Sequence, residues 1–139
     1  MPVLVPPAPP PLAIVASINR VRVRHHLPRL RATRSLANMA IAHDNDMLTH
    51  GFFSHDGEGT NFLGRARRHV RFSSVGETIA WTTGRPTAWT VVKLWLNSPP
   101  HRAELLNPRY RRIGVSDAAG RLGRYGVGVV VTADLASKR

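Results

Sequence analysis

Apolar residues recur at three- and four-residue steps in three stretches of the chain, which predicts three amphipathic helices. The first begins in LAIVASINRVRVRHH, where Ile14, Ile18 and Val21 form a stripe, and Pro28 closes it. The second is TRSLANMAIAHDNDMLTHG, with Leu36, Met39, His43 and Met47 on one face. Thr33 or Ser35 can cap its start and Gly51 its end. His43 therefore points toward the core, where a histidine is expected to be a satisfied packing residue. Asp44 and Asp46, with Asn45, are expected on a solvated face. The third, RPTAWTVVKLWLN, opens with a proline at a first-turn position and carries Ala88, Val91, Val92 and Trp95 on one stripe. Two shorter helices are expected. One lies in TNFLGRARRHV, capped by Thr60 with Leu63, Ala66 and Val70 inward; the other is a turn or two in HRAELLNP, stopped by Asn107 and Pro108.

The pattern changes toward the end. A strand is expected around Ile79 to Thr82. RRIGVSDAAGRLGRYGVGVVVTAD then offers two extended runs about a turn rich in Asp, Ala and Gly, with the second run over Tyr125 to Thr132. Helices followed by strands point to an α+β fold, a small antiparallel sheet with helices packed on it. Residues 1–12 read as a proline-rich lead or linker, 13–135 as a single domain, and 136–139 as a short basic tail.

Composition narrows the partners. A chain of 139 residues with 42% hydrophobic content can bury one core. The absence of cysteine excludes disulfides and thiolate metal sites. A formal charge of +12, mostly from arginine, attracts polyanions such as nucleic acid, anionic lipid or an acidic cell wall. No nucleic-acid motif surrounds the arginines and aromatics make up only 6%, so nucleic acid ranks last among these partners. No run is apolar and long enough to span a membrane. The start has no basic n-region and is broken by prolines, so it does not read as a signal peptide; the chain is expected to be a mature form or an excised domain. A monomer is expected.

Three polar residues stand beside structural punctuators. His55 lies in GFFSHDGEG, Glu77 in VGETIAW and His101 in NSPPHR. Imidazoles move protons or ligate metals near neutral pH. A carboxylate can orient an imidazole, act as a base or complete a metal shell. Two histidines and a glutamate suit zinc with an open position, although no compact metal motif is present. Spacing alone leaves open the alternative of three unrelated loop residues. Ser54, Ser74 and Ser98 lack a nucleophile-elbow context. His25 and His26 are expected at the surface, and Trp81, Trp89 and Trp95 in packing positions.

SLANMAIAHDNDMLTHGFFSHDGEGTNFLGRARRHV, VGETIAW and VVKLWLNSPPHRAELLNPRYRRIGVS together resemble the bacterial branch of the CAP superfamily. That group is named for cysteine-rich secretory proteins, antigen five and pathogenesis-related proteins, and is also called SCP. The resemblance runs from about Ile14 to about Thr132, with WLNSPPHRAELLNP followed by IGV its most specific part. It implies an α-β-α sandwich with a small antiparallel sheet between helical layers, and loops that bring His55, Glu77 and His101 to one shallow cleft. It also implies an extracellular or cell-surface location. The chain departs from the family where Thr78 follows Glu77 in place of asparagine. Ser98 stands where eukaryotic members carry a second glutamate, and Tyr125 where they carry a late histidine. The expected function is a ligand- or metal-binding module of the envelope, with His55, Glu77, Thr78, Ser98 and His101 in the site. Its partner is an anionic envelope component or a small lipid or glycan; its metal is zinc or another divalent cation on His55 and His101, with Glu77 as a further ligand. The alternative is a hydrolase acting on protein or cell wall, either metal-assisted or with His55, Glu77 and His101 as catalytic candidates.

Overall fold

The computed structural model describes residues 8–84 and 86–138. The helices are α1 (Pro11–Arg24), α2 (Arg34–His50), α3 (Phe62–His69), α4 (Ala88–Leu96) and α5 (Pro99–Leu105); the strands are β1 (Arg31–Ala32), β2 (Val75–Thr82), β3 (Tyr110–Arg121) and β4 (Val127–Ser137). Thr33 caps α2 by accepting from the Leu36 amide, and Gly51 ends it in the left-handed conformation. Asn61, not Thr60, caps α3, because its side chain accepts from the Gly64 amide one turn on. Pro99 opens α5 rather than stopping α4 from outside, so His101 sits in the first turn of a helix.

The strands form one sheet in the order β1-β3-β4-β2. β3 and β4 form a long antiparallel hairpin, β2 flanks β4 antiparallel, and β1 runs parallel to β3. The sheet is therefore mixed, with the α+β layering otherwise as expected. The hairpin turn lies further along than its composition indicated. Asp117 to Gly120 are in β3, and the chain reverses over a 3-10 turn at Gly123–Tyr125. The reversal is placed there because Leu122 is fully buried against Met47, Ile79 and Val130, while Gly126 supplies a φ of 94°. β2 starts at Val75, so Glu77 lies within a strand and not ahead of one.

Side chains alternate across the sheet. On one face Ala80, Ile113, Val115, Val129, Val131, Ala133 and Leu135 join Ile14, Ile18 and Trp95 in the principal core beneath α1, α4 and α5. Trp95 also donates its indole N–H to the Ile79 carbonyl at 2.9 Å, tying α4 to β2. Arg22, fully buried, donates to the carbonyls of Pro28, Leu105, Asn107 and Tyr110, and so closes the C-terminal end of α5. The other face lies under α2 and α3. Its apolar side chains divide into two groups, Leu36, Met39, Ala66 and Ala136 at one end and Met47, Ile79, Leu122 and Val130 at the other. Between these groups runs a buried layer of polar residues.

Several expectations shift. α1 already begins at Pro11, inside the proline-rich lead, and ends at Arg24, before Pro28. Residues 1–7 of that lead lie outside the described residues, as does Arg139 of the tail, whereas Ala136 and Ser137 belong to β4. Leu63 and Trp89 are 47% and 48% exposed, so neither packs inward as expected. Among the described residues no helix is long and apolar enough to cross a membrane.

Candidate functional site

Glu77 projects from β2 toward α2 and is almost wholly buried. Its carboxylate is anchored by Arg65 of α3, whose guanidinium reaches Oε2 at 2.9 Å and Oε1 at 3.2 Å. His55 Nδ1 lies 3.0 Å from Oε1, and His43 Nε2 lies 3.6 Å from the same oxygen. Two of the three sequence candidates, 22 residues apart, thus meet in a direct hydrogen bond. The imidazole donates from Nδ1, which leaves Nε2 as the other ring nitrogen, and the side chain remains 47% exposed.

The loop presenting His55 is held from three sides. His43 donates from Nε2 to the Ser54 carbonyl at 2.7 Å. Arg65 donates to the His55 carbonyl at 2.8 Å. Phe52 meets the His43 ring edge-on and, with Phe53, packs against the Met47 group. The two aromatics of GFFSH are the loop's anchors. His43 is buried, as its place on the helix stripe predicts, but it is only half satisfied: Nε2 has its backbone partner, and Nδ1 has none among the described residues.

Burial alone would raise the Glu77 pKa, but the facing Asp134 carboxyl and the hydrogen bonds from His55 and Arg65 outweigh it and bring the group to about 2. Asp134, directly opposite on β4, shows the reverse: burial and the facing Glu77 anion push it well above the carboxylate range. Neither carboxyl oxygen of Asp134 has a hydrogen-bond partner among the described residues, and Arg65 lies 3.7 Å from its Oδ2. One cation therefore stands between two facing carboxyl groups that share one negative charge. His55 is raised above the ordinary imidazole value, first by the hydrogen bond to Glu77, with burial opposing.

His101 and Glu104, on the first turns of α5, are within electrostatic reach of His55. Burial and then the His55 charge lower His101, and Glu104 acts in the opposite sense. The Glu104 carboxylate accepts from the Tyr110 hydroxyl at 2.8 Å and lies over Gly76, where a Cβ would collide with it. Glu104 is a member of this region that sequence reading missed, although its three-residue spacing from His101 puts both on one helix face. Thr78 is fully buried on the opposite face of β2 from Glu77, because strand neighbours alternate, and it cannot join the site. Ser98 is the half-buried N-cap residue of α5 with no side-chain cap bond.

Among the described residues no group of three or more His, Cys, Asp or Glu side chains is arranged to hold a metal ion. Glu77 already engages Arg65 and His55, and a second cation beside that guanidinium is opposed electrostatically. The residues present do not fit the expected zinc shell of His55, His101 and Glu77, so no step below passes through a metal.

Asp44, expected on a solvated face, is buried. Ser116 and Thr132 donate to its two oxygens at 2.5 and 2.6 Å, yet burial dominates and raises it to about 8. It is protonated in the fold at neutral pH and ionised in the unfolded chain. The folded state then holds the extra proton, so the contribution of Asp44 to stability falls as pH rises from about 4 to about 8. An Asp44→Asn variant mimics the protonated acid, and its melting temperature should gain on wild type progressively across that interval. A difference that stays constant with pH would show Asp44 to be ionised in the fold.

A family model described as the cysteine-rich secretory protein family, CAP, matches residues 15–135. An uncharacterized membrane protein of Bacillus subtilis, YlbC, is 37% identical over 100 residues, which is 70% of this chain and 28% of that protein. An extracellular protein containing an SCP domain from Bacillus anthracis is structurally similar, with a TM-score of 0.77, 32% identity and coverage of 92% of this chain and 40% of that one. An outer surface protein of Borrelia burgdorferi shares the fold, with a TM-score of 0.73, 21% identity and coverage of 90% of both chains. The chain thus spans well under half of the Bacillus proteins it matches.

Proposed function

The chain belongs to the cysteine-rich secretory protein (CAP) family, and from that premise we propose that it is a ligand-binding module acting outside the cell or at its envelope. The observation that carries this reading is the 3.0 Å hydrogen bond from His55 to a Glu77 carboxylate that Arg65 holds in place. A buried anion fixes the ring's orientation, and the half-exposed imidazole is the part a ligand can reach. Neutral, the ring offers Nε2 as an acceptor to a hydroxyl; protonated, it offers a donor to a carboxylate or phosphate. A glycan or lipid headgroup supplies those partners. The extracellular and outer-surface proteins that share its fold support the location.

The same dyad favours one second reading. A carboxylate-oriented imidazole is the usual form of a general base. Among the described residues no hydroxyl is hydrogen-bonded to His55, and the chain has no thiol, so hydrolysis would use water as the nucleophile. One experiment separates the readings. The His55 ring signals are followed by NMR while a soluble disaccharide-peptide fragment of cell wall is added, and the mixture is then analysed for cleavage alongside a casein digest. The binding reading expects shifted ring signals, abolished by His55→Ala, with intact fragment and casein. Cleavage that disappears in Glu77→Gln with the fold preserved would establish the hydrolase. Neither shift nor cleavage in the wild type would overturn the assignment of this site to cell-wall ligands.

A further inference from the structure

Residues 1–43 contain six arginines and no aspartate or glutamate. Arg22 is consumed inside the fold, but Arg20, Arg24 and Arg29 are exposed. The Arg20 side chain bonds only the Ser17 hydroxyl, at 3.2 Å, and none of the three has a carboxylate within ion-pair distance among the described residues. They lie where α1 borders two adjoining grooves of ≈ 480 and ≈ 220 Å³, which share Arg20 and Arg24. Val23 lines the larger groove with Arg29, and Trp89 of α4 lines the smaller.

The same face exposes apolar side chains. Leu12, Ala16, Arg20 and Val23 follow one another at helical spacing along the outer side of α1. Leu12 is 71% exposed, Val23 43% and Trp89 48%. Aliphatic groups, one tryptophan and unneutralised arginines on a single face match a bilayer interface. There the cations meet phosphate headgroups and the apolar tips reach the acyl boundary. A nucleic acid would call for several aromatics as a stacking platform, and among the described residues Trp89 is the one aromatic lining these grooves.

We propose that the outer face of α1, with Trp89, docks the protein on the surface of an anionic lipid bilayer. This surface is independent of the His55 reading and stands or falls without it.

The test is cosedimentation of the whole chain with vesicles of phosphatidylglycerol and phosphatidylcholine, against vesicles of phosphatidylcholine alone. Binding is expected only to the anionic vesicles at about 0.1 M salt, and should weaken markedly by about 0.5 M. Arg20→Gln, Arg24→Gln and Arg29→Gln together should lower partitioning by about a hundredfold. The same charge removed by Arg67→Gln, Arg121→Gln and Arg124→Gln should cost far less. Tryptophan emission should shift to the blue on binding, and Trp89→Phe should remove that shift. Equal losses from the two arginine sets would mean that net charge alone acts and would overturn the proposal. So would unchanged binding after Leu12→Ser with Val23→Ser, the absence of binding to anionic vesicles, or equal binding to a DNA duplex at matched phosphate concentration.

Discussion

An Arg65→Met variant should lose about 3–5 kcal/mol of folding stability, the usual consequence of removing one member of a buried charged group. Met retains much of the aliphatic volume, so the loss isolates the charge. Among the described residues Arg65 is the sole cation within ion-pair distance of both Glu77 and Asp134, and its side chain is only 7% exposed. Without it, Glu77 keeps its charge in a site closed to water, facing Asp134 across the strand pair. The loop also loosens, because Arg65 donates to the His55 carbonyl. The double variant Arg65→Met with Glu77→Gln removes cation and anion together and should recover a substantial part of the loss. Chemical denaturation of wild type, both single variants and the double variant closes the cycle. Additive losses would mean that the two groups do not interact.

Gly114→Ala should be of comparable size, about 3 kcal/mol or more, at the upper end of what overpacking costs. A Cβ built on Gly114 would stand 2.1 Å from the Ala37 amide nitrogen and the Leu36 carbonyl carbon. These are backbone atoms in the first turn of α2 and cannot rotate away. The helix would have to lift from β3, opening the contacts of Leu36 and Met39 and the Asp44 bonds to Ser116 and Thr132. A fall in melting temperature of about 10 °C or more follows for a domain of this length. Gly84→Ala, where no atom lies within 4 Å of the added carbon, serves as the control and should change little. Near-wild-type stability of Gly114→Ala would show that α2 is not seated against the sheet as described.

The frame of this fold is written in periodicity. The Leu36, Met39 and Met47 stripe, the Val91, Val92 and Trp95 stripe and the valine-rich final run each bury as their spacing requires. The polar layer under α2 is much harder to read, because an acidic residue beside an apolar stripe looks like solvated surface. Asp44 does carry a signal: it falls four residues after Ala40 and three before Met47, on the buried side of the helix. Asp134 carries another. Val127–Ser137 is nearly continuous in apolar residues, which marks a strand covered on both faces, and a carboxyl within it must be buried. Arg65 has no comparable signal, since nothing in GRARRH separates the arginine that turns inward from those that stay in water. The pairing of His55 with Glu77 depends on how a loop packs against a strand, and local sequence shows only that each stands within two residues of a glycine.

The central claim, that a fixed Glu77 anion holds and polarises His55, is tested most directly by NMR titration of the His55 ring in wild type and Glu77→Gln. The account predicts a wild-type pKa above the ordinary imidazole value of about 6.5, with the proton of the neutral ring on Nδ1, and a clear drop in pKa in the variant. Identical titration curves in the two proteins would contradict it.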